Sequence, residues 1–201
     1  FLEIAAAIKF ISNAELVWDW GILPRELFLA IWIGASVLIS LYILGIFRFK
    51  HDTPIDGISS PRVVFSIFFI SMTFWLYTGL HGNKLGELDA FLPPYGIGAV
   101  ELKDWYDNLD EAKEVALREE KPIFVDFTGF TCTNCRWMEQ NMFTKPQVRT
   151  LLNEYVKVHL FTDRREEPYL SNKELQQEMF NSIELPLYVI MTPSGKSIAT
   201  K

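Results

Sequence analysis

Residues 27–47 and 63–80 run for 21 and 18 positions without an Asp, Glu, Lys, Arg or His, and this restricts the chain's possible folds more than any other feature. As helices rising 1.5 Å per residue they would reach roughly 27–32 Å, the thickness of a bilayer's hydrocarbon core. A soluble domain can bury one such helix. Two, both rich in Ile, Leu, Phe and Trp, predict a transmembrane hairpin with spans at about 27–47 and 63–80. The notable polar groups inside, Ser36, Ser40, Ser66, Ser71 and Thr73, can bond back to their own helices. With no ionisable side chain in either span, the hairpin by itself offers no proton or ion pathway.

The short loop between the spans carries Arg48, Lys50 and Arg62, whereas only Lys84 follows the second span before Glu87 and Asp89. The positive-inside rule therefore makes the loop cytoplasmic and places residue 81 onward outside, with Trp18, Trp20, Trp75 and Tyr77 suited to the outer interface. Residues 1–13 are apolar with Glu3 and Lys9 embedded, which fits either the tail of an earlier membrane helix or an interfacial helix. They lack a basic leader and a cleavage site, so they do not read as a signal peptide, and the chain reads as a piece of something longer. The expected organisation is a membrane region at 1–80, a Gly- and Pro-broken linker at 81–98 and a second domain at 99–201. The whole chain has 19 basic and 25 acidic residues, and neither half is basic enough to suggest nucleic acid as a partner.

The only two cysteines stand three apart, as Cys132-Thr133-Asn134-Cys135, after the apolar run Ile123-Phe124-Val125-Asp126-Phe127. A strand feeding a helix that opens on Cys-x-x-Cys sets the first sulfur among unpaired backbone N–H groups, which favour a thiolate. A second thiol one turn on can resolve a mixed disulfide. A zinc site needs four ligands, and His51, His81 and His159 stand at no finger spacing from Cys135. Covalent haem attachment needs His after the second cysteine, where Arg136 stands. A purely structural disulfide closing so short a loop would stabilise little. Redox exchange is the reading that remains strongest.

Two acids accompany the pair. Asp126 lies six residues before Cys132 in a strand expected to be buried on both faces, where its pKa would be raised to suit proton transfer. Glu139 lies one helical turn after Cys135 on the same face. The plainer alternatives are a hydrogen-bonded strand-end acid for Asp126 and a solvated charge for Glu139. Farther on, Glu184-Leu185-Pro186 precedes the apolar run 187–191, and X-Pro bonds of this kind can be cis.

The order Phe124-Val125-Asp126-Phe127, Cys132-x-x-Cys135, Pro186 resembles the thioredoxin-like superfamily. The stretch 125–139 is more specifically similar to the C-terminal domain of DsbD-type membrane thiol:disulfide interchange proteins. That resemblance implies an α/β thioredoxin-like domain, a central mixed sheet flanked by helices, preceded by the α-helical transmembrane hairpin. It implies Cys132 as attacking thiol, Cys135 as resolving thiol, Asp126 and Glu139 as tuners of their pKa, and Leu185 with a cis Pro186 along the partner groove. It further implies a redox-active Cys132–Cys135 disulfide as the only redox group, with no bound cofactor or metal. The partners implied are the bilayer, an upstream transmembrane electron-relay region and exported thioredoxin-like proteins. The location implied is the cytoplasmic (inner) membrane, multi-pass, with the redox domain on the periplasmic side. The family's last helix has no counterpart before Lys201, so this piece alone is expected to be marginally stable.

Along the second domain, residues 109–119 read as a helix capped by Asp107, 122–127 as the central strand and 132–142 as the cysteine-bearing helix. A helix should start near Lys145 with Thr144 as cap, and residues 156–161 should form a strand. Ser171-x-x-Glu174 reads as a capping box opening a helix to about Phe180, followed by a strand at 187–191 and a turn at 193–196. The function these features favour is a protein-disulfide reductase module relaying electrons from a membrane-embedded region to exported disulfides. The alternative is a membrane-tethered thioredoxin-like binding module without redox turnover.

Overall fold

A computed structural model describes residues 2–52, 57–93 and 104–200. The chain divides into two compact units, Phe1–Asn13 with Gly21–Pro93, and Ala14–Trp20 with Pro94–Lys201.

The first unit is helical. Helix α1 (Leu2–Trp18) continues through the apolar opening segment to Trp18. Helices α2 (Arg25–Ile43) and α3 (Ser60–Leu80) are both long and apolar enough to cross a membrane. The first span therefore starts and stops earlier than 27–47, because the chain leaves the helix at Leu44 and turns at Gly45 (φ 77°). Ser36 and Thr73 donate to the carbonyls of Trp32 and Phe69 in their own helices, as expected. Ser40 and Ser66 do not: their hydroxyls bond each other across the two helices at 2.5 Å. Small polar side chains let helix backbones approach, and each hydroxyl then satisfies the other.

The stretch after α3 is ordered in a way its glycines do not suggest. Gly86–Phe91 forms a 3-10 helix whose Asp89 is buried against Arg25, while the other oxygen of Asp89 accepts the Leu85 N–H at 2.7 Å. Leu85 packs with Phe28, Leu29 and Leu76, so residues 81–93 belong to the helical core instead of forming a linker. Gly79 permits this, since a Cβ there would lie 2.5 Å from Leu85 Cδ1. The expected linker residues 94–98 lie outside the described residues.

The second unit is α/β. Its order is β1 (Trp105–Tyr106), α4 (Leu109–Glu119), β2 (Ile123–Thr128), α5 (Thr133–Asn141), α6 (Pro146–Leu152), β3 (Val156–Phe161), α7 (Tyr169–Phe180), β4 (Leu187–Met191) and β5 (Ser197–Thr200). The strands form one mixed sheet, β1-β3-β2-β4-β5, parallel from β1 through β2 and antiparallel from β2 through β5. Side chains alternate across it. Ile123, Val125 and Phe127 join Val158, Leu160, Val189 and Met191 on the face covered by Ala112 and Ala116 of α4 and by Leu175 and Phe180 of α7. Phe124, Asp126 and Thr128 point to the other face, where Arg136 of α5 bonds Thr128.

Residues 14–20 belong to this unit through Arg164, whose guanidinium donates to the Leu16 carbonyl at 2.9 Å and to Asp19 at 2.8 Å.

Three expected caps are corrected. Asn108, not Asp107, caps α4, its side-chain oxygen accepting from the N–H groups of Asp110 and Glu111. Thr144 does not cap α6: its hydroxyl donates back to Gln140, and Lys145 is the cap residue without a side-chain bond. Ser171 lies inside α7, which already begins at Tyr169, and bonds Glu167 of the preceding loop. Helix α4 keeps its expected bounds with a different cap, whereas α6 and α7 start one to three residues from the expected positions, a shift that local preferences do not resolve.

Candidate active site

The central strand β2 runs in the middle of the sheet, hydrogen-bonded on both edges, and delivers the chain at Thr128 to a short loop ending in Cys132. Cys132 is the N-cap of α5, so the cysteine-bearing helix begins one residue later than expected, and the Cys132 sulfur accepts the Cys135 N–H at 3.2 Å. The two cysteines are joined as a disulfide with Cα atoms 5.3 Å apart. Their exposures differ: Cys132 is half-buried, whereas Cys135 is 1% exposed. Only the first sulfur can meet an outside disulfide; the second is placed to attack from within.

Beneath the helix lies a charged cluster. Asp126 is 1% exposed, and its Oδ1 has no hydrogen-bond partner among the described residues. Burial pushes its carboxyl well above the usual carboxylate range; Glu139 nearby adds to this and Arg136 opposes it. Glu139 is also buried, at 3% exposure, so it is not a solvated charge. It accepts from Arg136 at 2.6 Å, yet burial outweighs that ion pair and raises its pKa to about 6.

Arg136 was legible only as the residue that rules out haem attachment. Its guanidinium is buried, bonds Thr128 Oγ1 at 2.9 Å as well as Glu139, and lies 5.3 Å from the centre of the Phe161 ring. Opposite charges at i and i+3 on one helix were the available signal. His159 and Tyr188 flank Asp126 across the sheet, paired with it from β3 and β4. Burial lowers His159 to about 4, so it is neutral near pH 7. Nothing in the linear pattern brings these two to Asp126; strand register does.

On the other side of the cysteines, Leu185–Pro186 is a cis peptide leading into β4, and Leu185 approaches Gly129 of the cysteine loop closely enough that a Cβ on Gly129 would meet it at 3.0 Å. Asp163, after β3, holds the same loop through backbone N–H bonds from Phe130 and Thr131. The structure thus gathers Cys132, Cys135, Asp126 and Glu139 about α5, and Leu185 and Pro186 beside the cysteine loop. The arrangement suits thiol–disulfide exchange: one accessible sulfur, one sheltered sulfur, and two acids whose carboxyls burial holds above their ordinary range.

Sheet order, helix placement and the Cys-x-x-Cys helix start define a thioredoxin-like fold. Residues 104–193 match a family model described as Thioredoxin-like. The chain is 34% identical over 93 residues to spermatogenesis-associated protein 20 of Rattus norvegicus, covering 45% of this chain and 12% of that protein. It is 24% identical over 166 residues to the thiol:disulfide interchange protein DsbD of Campylobacter jejuni, covering 79% of this chain and 28% of that protein. Among solved structures, a thioredoxin from Thermus thermophilus aligns with a TM-score of 0.41 and 22% identity, over 48% of this chain and 72% of that one. The chain thus spans well under a third of the length of either curated relative.

Proposed function

We propose that this chain is the membrane-anchored output module of a thiol–disulfide oxidoreductase, working as a protein-disulfide reductase. The observation that carries this is the asymmetry of the pair, a partly exposed Cys132 at a helix start with a buried Cys135 behind it. The Cys132 thiolate attacks one sulfur of a substrate disulfide, and the substrate's other sulfur leaves and takes a proton. The Cys135 thiolate then attacks the Cys132 sulfur of the mixed disulfide, releasing the substrate's second thiol and leaving Cys132–Cys135 oxidised. Two electrons pass to the substrate, and the exchange needs no bound cofactor. Asp126 accepts the proton that Cys135 loses, and Glu139, linked electrostatically to it, adjusts the pH at which this happens.

The anchor is the α2–α3 hairpin, of whose most apolar windows only 28% and 17% of residues are buried, unlike core helices of a soluble domain. Val64, Phe65, Phe68 and Phe74 of α3 are each more than half exposed, a face that lipid would cover. The likeness to DsbD spans 166 residues, well beyond the 104–193 match, and supports a reductase fed from the membrane. On this reading an upstream transmembrane relay re-reduces the pair. The acceptors are thioredoxin-like proteins on the periplasmic side, serving disulfide isomerisation or cytochrome c maturation.

Replacing Cys132 with Ser should abolish reduction of a model disulfide, while Cys135→Ser should trap a mixed disulfide on Cys132. Retained turnover in Cys132→Ser would overturn the proposal, and a wild-type chain without turnover would favour a binding module.

A further inference from the structure

Asp163 stands two residues beyond β3, about thirty residues from the cysteines in sequence, and takes no part in the exchange just described. Both of its carboxylate oxygens are nonetheless engaged by the two residues that precede Cys132. Oδ1 accepts the Phe130 N–H at 2.9 Å, and Oδ2 accepts the Thr131 N–H at 2.9 Å and the Thr131 hydroxyl at 3.0 Å. The next residue, Arg164, lays its guanidinium 4.0 Å from the centre of the Phe130 ring. Gly129 completes the fit. A Cβ there would lie 2.8 Å from Asp163 Oδ2 and 3.0 Å from Leu185 Cδ1, so the loop threads between the carboxylate and the segment carrying cis Pro186.

We propose that Asp163 is a positioning residue for the thiol chemistry of Cys132, its carboxylate clamping the Phe130 and Thr131 N–H groups so that the cysteine loop delivers Cys132 as the cap of α5. This rests on the reading of Cys132 as the attacking thiol. The Cys132 sulfur, at the cap of α5, receives the Cys135 N–H at 3.2 Å directly after the two clamped residues. Hydrogen bonds to an ionised acceptor are about twice as strong as neutral ones, so a carboxylate holds the loop where a neutral group would not. Only Asp fits. Each oxygen faces a different N–H donor, so the isosteric Asn would turn its own NH2 toward one of them. Glu would push the loop out by a methylene.

The test uses the full chain in detergent, with alkylation of reduced Cys132 by iodoacetamide followed against pH. Each variant is measured below its melting temperature, with circular dichroism confirming the fold. Asp163→Asn should move the half-maximal alkylation pH upward and slow alkylation at pH 7 by about 3–10-fold, equivalent to a half to one pKa unit. Gly129→Ala, which crowds the clamp from its other side, should act in the same direction. The double variant should be no worse than the more affected single one. A wild-type alkylation profile in folded Asp163→Asn and Gly129→Ala would overturn the proposal, as would full additivity in the double variant. Disulfide reduction by the wild-type chain separates the two claims. An active wild type with an unmoved Asp163→Asn profile sinks the clamp alone; an inactive wild type with a moved profile sinks the reductase reading and leaves the clamp.

Discussion

Asp126 and Glu139 are both buried, yet burial affects them differently because only Glu139 has a cation in contact. The stability consequence has a definite sign. Both carboxyls have folded pKa values above their ordinary ones, so the fold binds their protons more tightly than the unfolded chain does. Stability is therefore greatest below the ordinary carboxylate range and falls as pH rises through the folded values. For Glu139 the window runs from 4.5 to about 6, and its full loss is about 2 kcal/mol. Asp126→Asn removes the larger conflict. It should raise the unfolding free energy at pH 8 by about 1–3 kcal/mol, with the gain shrinking toward pH 4, as urea titrations at several pH values would read. The same variant should slow disulfide exchange at pH 7 by about 10-fold or more, since its proton acceptor is gone. A stability gain that is flat with pH would show that the Asp126 carboxyl has the same pKa in the folded and unfolded chain.

At the scale of elements, α4 shows how closely spaced signals compete. Asp107 is the cap expected from the sequence, although the neighbouring Asn108 is a residue type that caps equally well. The structure selects Asn108, whose side chain receives two N–H bonds while Leu109, Ala112 and Ala116 face the sheet. Asn108→Ala should cost about 1 kcal/mol and Asp107→Ala close to nothing, measured as shifts in the urea midpoint at constant slope. The reverse order would mean that the helix begins one residue earlier. Strands were the more legible elements. Residues 156–161 and 187–191 emerge at the expected bounds because β-branched and aromatic residues there are packed on a two-sided sheet. The two-residue strand β1 went unanticipated, since a strand that short carries no periodicity of its own.

For the molecule as a whole, the two units differ in how they cover their apolar side chains. The α/β unit closes its own core, whereas the helical unit leaves large apolar side chains of α3 uncovered. On the proposed topology the loop holding Arg48 and Lys50 is cytoplasmic and the cysteines lie outside. A membrane-impermeant maleimide added to intact, reductant-treated cells should therefore label Cys132, and the chain should stay with the membranes after alkaline carbonate extraction. Labelling only after the membrane is breached would reverse the orientation, and release by carbonate would remove the anchor.

Charge-free length and the Cys-x-x-Cys spacing are local properties, and from them the sequence determined the two long helices and the cysteine pair, while the fold class came with the resemblance carried by residues 124–139 and Pro186. Asp126 and Glu139 were also legible, because a fixed offset along one strand and one helix places them relative to the sulfurs. Arg136, His159, Tyr188, Asp163 and Gly129 were not. Their roles depend on strand register, on burial and on a carboxylate meeting backbone groups more than thirty residues away. Such contacts leave no period in the chain, because the free energy that selects them comes from packing and desolvation in the assembled unit. Likewise the segment after α3 carries the glycines of a linker, and only tertiary contacts, the burial of Asp89 against Arg25 and of Leu85 against Phe28, Leu29 and Leu76, make it part of the helical core.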